Sequence, residues 1–256
     1  MPAYAPPVKL GVVIPVYNER ATLASVVARV RATPVPALPG GEPLERTLFI
    51  VDDGSTDGTG DEADRLREPG VMVTRHDRNR GKGAAVRTGI ADAKRQGVDA
   101  LIIQDADLEY SPDDHALVLA PILEGVADAV VGSRFIGPRH RVLYYWHYLA
   151  NRFLTAASNA VTNVNLTDME CCLKAFSRDV LDRLEIKENR FGLEPEIVAR
   201  LARMRLPRPD GSVRALRIYE VAVNYDGRTY AEGKKITWRD GVSALRCIVK
   251  YGLLGG

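Results

Sequence analysis

Short apolar runs alternate with stretches of helical periodicity along the first half of the chain. Residues 10–14 form an apolar run that ends at Pro15, the pattern of a buried strand, and residues 19–31 then repeat apolar positions at helical spacing. Residues 33–43 are crowded with prolines, close on Gly40-Gly41 and read as a loop. Further strand-like runs stand at 48–51, 71–74, 100–103 and 127–132, and helical patterns at 57–67, 83–95 and 117–124. Thr56 or Asp57 offers a cap to the second helix. After Gly132 the rhythm changes. Residues 142–161 predict a long helix, 170–176 a short strand, 192–203 a helix, 216–224 a strand and 238–253 an amphipathic helix.

Strands alternating with helices predict an α/β fold, a mainly parallel sheet flanked by helices on both faces. In such sheets ligands sit beyond the carboxyl ends of the strands. The polar clusters fall at those ends: Tyr17-Asn18-Glu19, Asp52-Asp53-Gly54-Ser55 and Asp105-Ala106-Asp107. We read residues 1–256 as one domain, with about 8–134 as the ligand-binding half and about 135–256 packed on it. No internal repeat is evident.

Composition narrows this without redirecting it. A chain of 256 residues, 27% charged and 46% apolar, is ordinary for a globular protein. A formal charge of +2 makes no case for nucleic-acid binding. Three cysteines, with Cys171 and Cys172 adjacent, give neither a disulfide framework nor zinc spacing, which points to a reducing, cytoplasmic setting. The first residues lack the basic and apolar regions of a secretory signal. No run of about 18 apolar residues predicts a membrane-spanning helix, which leaves peripheral membrane contact open.

Asp105 and Asp107 flank a small residue just after an apolar strand. Alternate residues leaving a strand point the same way, so both carboxylates can face one point, with Glu109 following. Oxygen-only ligation of this kind suits Mg²⁺ or Mn²⁺ together with a substrate's phosphates. A lone Asp-x-Asp more often marks a solvated turn; its place after a buried strand favours the metal. Asp52, and with less support Asp53, can accept hydrogen bonds from a base or ribose hydroxyl, whereas Asp57 reads as a helix cap. Asn79-Arg80-Gly81-Lys82-Gly83 precedes a helix. Its glycines permit close backbone approach, and the helix N-terminus with Lys82 favours an anion, although the segment also reads as a simple turn.

Taken in order, residues 13–19 (Val-Ile-Pro-Val-Tyr-Asn-Glu), 52–57 (Asp-Asp-Gly-Ser-Thr-Asp), 79–83, 105–107 and 132–135 (Gly-Ser-Arg-Phe) resemble the family 2 glycosyltransferases. Within these they resemble the dolichyl- or polyprenyl-phosphate hexosyltransferases, from about residue 9 to about residue 250. The resemblance implies a GT-A fold, inversion at the anomeric carbon, a nucleoside diphosphate sugar donor and a divalent metal. Carried over, Pro15, Tyr17, Glu19 and Asp52 contact the nucleoside. Asp105, Ala106 and Asp107 serve metal and diphosphate, with Asp107 central to the chemistry, and Arg134 meets phosphate near the acceptor. Glu109 stands where similar mannosyltransferases often carry Gln. Residues 227–235 resemble the family's Arg-x-x-Gly-x-Ser-Lys segment, with Ala231 and Gly233 in place of Gly and Ser; Arg228 and Lys234 carry over to the diphosphate.

A lipid phosphate acceptor is already ionised and needs no general base, only cations; Arg134, Arg139, Arg141 and Arg152 supply them. A hydroxyl acceptor needs a carboxylate base, for which Asp168, matching an acidic position of the family, precedes Glu170, Glu194 and Glu196. Asp168 can equally bridge to the acceptor arginines. Residues 134–153 interleave arginines with Tyr144, Tyr145, Trp146, Tyr148 and Phe153, which fits either a helix at a membrane surface or an aromatic core stripe. Three functions follow: a peripheral transferase to polyprenyl phosphate at the cytoplasmic face, a transferase to a soluble or glycan hydroxyl, and an inactive nucleotide-sugar-binding scaffold. A nucleotidyltransferase is disfavoured, because its glycine-rich signature after the first strand is replaced by residues 15–19.

Overall fold

The computed structural model describes residues 8–36, 44–137, 141–142, 144–229 and 238–255. In chain order the elements are β1 (Val8–Val16), α1 (Leu23–Ala32), β2 (Leu44–Asp52), α2 (Thr59–Arg65), β3 (Val71–Arg75), α3 (Lys82–Arg95), β4 (Ala100–Ile103), α4 (His115–Leu123) and β5 (Ala129–Ser133). They continue with α5 (Tyr145–Thr162), β6 (Lys174–Ser177), α6 (Arg178–Arg183), α7 (Leu193–Arg203), β7 (Arg205–Pro207), β8 (Val213–Ala215), β9 (Ile218–Ala222) and α8 (Trp238–Gly252).

Seven of the described strands form one sheet in the order β3-β2-β1-β4-β6-β5-β9. β1 pairs in parallel with β2 and β4, β2 with β3, and β5 with β9; β6 runs antiparallel between β4 and β5. The strand pattern explains why both faces are covered. Along β1, Leu10, Val12, Ile14 and Val16 join the core under α1 and α4, while Val13 joins the core under α3, α6 and α7. Alternation with no polar face is the signature of a strand buried on both sides. α3 lies close because it is built from small residues: a Cβ on Gly89 would stand 2.5 Å from Cγ1 of Val13.

This topology sets the site. The carboxyl ends of β1, β2, β4, β5 and β9 and the amino end of β6 share one edge of the sheet. The predicted strand at 170–176 is shorter than expected and runs Lys174–Ser177. Upstream of it the backbone is diverted: the Thr167 and Asp168 N–H groups donate to the Glu220 carboxylate, and Asp168 is engaged by Arg134. Residues 166–173 therefore form a loop at the sheet edge. β9 is shorter than the 216–224 pattern, and the β7–β8 hairpin, with three residues per strand, is too short to show periodicity.

Candidate active site

A cleft of about 1050 Å³ opens along that edge. Its walls include Pro15, Tyr17, Glu19, Asp53, Lys82, Asp105, Ala106, Asp107 and Glu109 at one end. Arg228 stands among the same carboxylates; Arg134, His147, Asn151, Glu170 and Tyr225 also line the cleft, and α8 contributes Asp240, Gly241 and Ala244. Most of the sequence candidates thus converge on one space.

The acidic turn after β4 is held from below. The Gln104 amide donates to the carbonyls of Asp105 (3.0 Å) and Tyr110 (3.3 Å). Its Oε1 pairs with Nε2 of His115 at 2.8 Å. Burial pushes His115 down to about 3, so its ring is neutral and Nε2 carries the donated proton. Leu108 takes a left-handed φ of 64°, and the Glu109 N–H donates to Asp107 Oδ1 at 3.1 Å. The turn therefore presents Asp107 and Glu109 together.

The Arg228 guanidinium lies among these carboxylates, 2.9 Å from Asp107 Oδ2, 3.2 Å from Glu19 Oε1 and 3.3 Å from Glu109 Oε1. Tyr225 donates its hydroxyl to the other oxygen of Glu109 at 2.9 Å. Burial first, then Asp105 and Glu109, push Asp107 up to about 7, against the pull of Arg228. Lys82 pairs with Asp105 at 2.7 Å; burial opposes its charge, but Asp105 and Glu194 keep the amine well above its ordinary value. A divalent cation fits this chemistry, because the donors are all carboxylate oxygens and a cationic group already stands among three of them. Among the described residues, no three potential ligands close on one point at coordination distance; the carboxylates are spread around Arg228.

Asp52 and Asp53 differ. Asp52 is fully buried, accepts from the Ser55 N–H and is not part of the cleft wall. Asp53 lines the cleft, yet its oxygens accept from His76 Nδ1 (2.7 Å) and from the N–H groups of Arg80 (3.0 Å) and Gly81 (2.7 Å). It fixes the 79–83 turn onto β2. The close approach that the glycines of this turn allow is to the chain itself: a Cβ on Gly83 would stand 2.2 Å from the Glu188 carbonyl oxygen.

Just after β5, Arg134 grips Asp168 through two nitrogens at 2.6 and 2.7 Å, and its own N–H donates to the same carboxylate at 3.0 Å. Burial opposes both charges, but each partner favours the other's charged form, so Asp168 lies below the ordinary carboxylate range and Arg134 above its ordinary value. The Arg134 guanidinium also stacks over the Tyr225 ring at 5.1 Å. Behind it, the buried Lys174 bonds to Glu194 and to the Met169 and Cys171 carbonyls. Arg141 is exposed and donates to the Gly227 carbonyl at 2.9 Å; Arg152 is exposed on α5, outside the cleft wall. Arg139 and Lys234 lie outside the described residues.

Sequence reasoning missed Tyr110, Tyr225 and Lys174. Tyr225 sits three residues beyond the carboxyl end of β9, so the strand-end rule extended to the last strand finds it. Lys174 was readable as a lysine inside a buried strand, a position that demands a counter-ion.

The family model for Glycosyl transferase family 2 matches residues 11–185. The chain is 30% identical over 232 residues to the undecaprenyl-phosphate mannosyltransferase of Micrococcus luteus, covering 87% of this chain and 85% of that protein. It is 31% identical over 179 residues to the polyprenol monophosphomannose synthase of Mycolicibacterium smegmatis, covering 68% of this chain and 64% of that relative's length. Among solved structures it superposes on the glucosyl-3-phosphoglycerate synthase of Mycobacterium tuberculosis, in complex with Mn²⁺, uridine diphosphate and glucosyl-3-phosphoglycerate. The TM-score is 0.66 at 20% identity, over 95% of this chain and 80% of that one, a likeness of fold alone. The sheet and its covering helices form the GT-A fold. This chain belongs to glycosyltransferase family 2.

Proposed function

We propose that the protein is an inverting transferase that moves a hexose from a nucleoside diphosphate sugar, of the GDP-mannose or UDP-glucose type, to a polyprenyl phosphate at a membrane surface. The observation that carries this reading is one cleft whose walls hold both the carboxylates Glu19, Asp105, Asp107 and Glu109 and the cation Arg134, with Tyr225 bonded to Glu109 and stacked under Arg134. Residues from about 8 to 134 take the donor, and residues from about 135 onward form the acceptor side. Pro15, Tyr17 and Glu19 flank the nucleoside. Asp105, Asp107 and Glu109 would hold Mg²⁺ or Mn²⁺, which supplies positive charge against the leaving diphosphate. Lys82 and Arg228 add cations to the same end.

The acceptor oxygen attacks the anomeric carbon as the bond to the nucleoside diphosphate breaks. A phosphate nucleophile is ionised at neutral pH, so the protein's task is to bring two anions together, and Arg134 faces the cleft for that purpose. Asp168 is occupied by Arg134 and buried, which suits a positioning role better than that of a base.

The relatives named for polyprenyl phosphates support this acceptor. So does α5, which exposes Tyr145, Trp146, Tyr148, Leu149 and Phe153, with Arg152 among them. α8 adds exposed Val242, Leu245 and Val249, with exposed Leu253 just beyond its end. The reading takes this contact to be peripheral, at the cytoplasmic face; among the described residues no helix is long and apolar enough to cross a membrane. The test is transfer of labelled hexose from GDP- and UDP-sugars, with Mn²⁺, to undecaprenyl phosphate, followed by solvent extraction. Label appearing in the lipid phase supports the reading. Label transferred to water-soluble hydroxyl acceptors alone refutes it.

A further inference from the structure

Three ion pairs stand in and around the cleft, together with one carboxyl group that belongs to none of them. Arg134 pairs with Asp168, Lys82 with Asp105, and Lys174 with Glu194. Glu170 lies between them, lines the cleft, and has a buried Oε1 with no hydrogen-bond partner. An unpaired carboxylate in such a place is costly, and so is an acid with nothing to bond to. The group is therefore suited to a ligand atom arriving through the cleft. The nearest cations are already neutralised by their own carboxylates, so a charged Glu170 would meet an incoming phosphate as a like charge. A protonated Glu170 would instead offer it a hydrogen bond.

We propose that Glu170 binds the acceptor phosphate as a neutral acid, donating its proton in a hydrogen bond to a phosphate oxygen beside Arg134, so that acceptor binding weakens as Glu170 ionises. The inference rests on the lipid-phosphate reading above. The proton stays on Glu170 throughout: the phosphate oxygen forms the new bond to the anomeric carbon and the nucleoside diphosphate departs with the electron pair. The surroundings agree with this assignment. Burial foremost, then Glu194 from α7, push Glu170 up to about 7, opposed by Lys174 from β6 and Arg134 after β5, with Asp168 on the same loop adding to the rise. Lys82 of α3 acts through Glu194, 3.9 Å away, and His147 of α5 and Asp240 of α8 line the same cleft.

The pH dependence has a diagnostic sign. A phosphate monoester gains its second charge near pH 6, so cations alone would bind it more tightly as pH rises. Loss of the Glu170 proton acts in the opposite direction. The experiment is equilibrium binding of farnesyl phosphate at pH 6 and pH 8 to the wild-type protein and to Glu170→Gln, with farnesol as the phosphate-free control. Gln keeps an N–H donor and cannot ionise, and His147 is common to both proteins. The expected wild-type dissociation constant rises about fivefold to tenfold between the two pH values, as a group titrating near 7 loses its proton. That of Glu170→Gln stays level or falls. Should the Gln variant misfold, the isosteric Glu170→Met is expected to bind weakly at pH 6 and to show no such rise. A wild-type constant that is flat or falls with pH, or a Gln variant that follows the wild-type rise, overturns the inference while leaving the lipid-phosphate reading intact. Binding of farnesyl phosphate no tighter than farnesol overturns both.

Discussion

The Arg228 guanidinium donates to the Asp107 carboxylate at 2.9 Å and touches Glu19 and Glu109 as well. A side chain assigned to the diphosphate thus occupies the carboxylates assigned to the metal. The two assignments are compatible if Arg228 leaves these oxygens when a divalent cation and the diphosphate arrive. The Arg228→Gln variant is then expected to bind Mn²⁺ more tightly in the absence of nucleotide, by about fivefold for an interaction of about 1 kcal/mol. Titration of free Mn²⁺ by electron paramagnetic resonance measures this without turnover. Unchanged or weaker Mn²⁺ binding would mean that Arg228 does not compete for the site.

Asp168 tests whether a buried carboxylate acts as a base or as a brace. Its two oxygens are taken by Arg134, so Asp168→Asn leaves a buried guanidinium without its counter-ion. Breaking a pair of this kind costs about 3 kcal/mol or more, to be read from denaturant unfolding. The brace reading further expects the acceptor KM to rise more than kcat falls. The linkage has a definite sign: with its native pKa depressed by Arg134, the contribution of Asp168 is fully present above its unfolded value of about 4. It is lost as pH falls through the lower native value. A kcat loss of about a thousandfold with unaltered stability would point to a base instead.

How much of this was legible in the sequence follows from the physics of each element. β4 and the buried portions of β1 and β2 were readable because both faces are covered there and the apolar runs are uninterrupted; the partly exposed starts of β1 (Val8, Lys9) and β2 (residues 44–47) were not. Strand-end placement then brought Glu19, Asp53, Asp105 and Asp107 to one cleft, whereas Arg134 came from the resemblance. What the sequence could not reveal were long-range partners. Nothing local links Arg228 to Asp107, a bridge from Asp168 to the acceptor arginines stood only as one of two readings, and Asp52 and Asp53, adjacent in sequence, differ in whether they reach the cleft. Glu170 was readable as a carboxylate near the acceptor, but its lack of a partner exists only in three dimensions.

The glycines of the 79–83 turn invite a prediction that separates packing from ligand binding. Gly83 stands over the Glu188 carbonyl with room for no side chain. Gly83→Ala pushes the start of α3, and with it Lys82, away from the segment 188–189. Overpacking against backbone costs about 1–3 kcal/mol, outweighing the roughly 1 kcal/mol that Ala gains over Gly in a helix. A lowered melting temperature without nucleotide is the expected result. A variant as stable as wild type that fails only to bind nucleoside diphosphate would show that the close approach serves the ligand.

The outer face of α5 gives the sharpest check on membrane contact. Trp146 is 74% exposed and Phe153 61%, and they share the helix with exposed Arg152. Neither aromatic ring belongs to a core cluster, so replacing both with Glu should alter stability by no more than about 0.5 kcal/mol each. At a bilayer surface the same change removes two apolar anchors and adds two charges that anionic headgroups repel. Co-sedimentation with vesicles containing phosphatidylglycerol is expected to fall by about tenfold or more, while transfer to a detergent-solubilised acceptor changes little. Equal loss in detergent would assign these rings to binding of the acceptor chain itself, and unaltered sedimentation would remove α5 from the membrane surface.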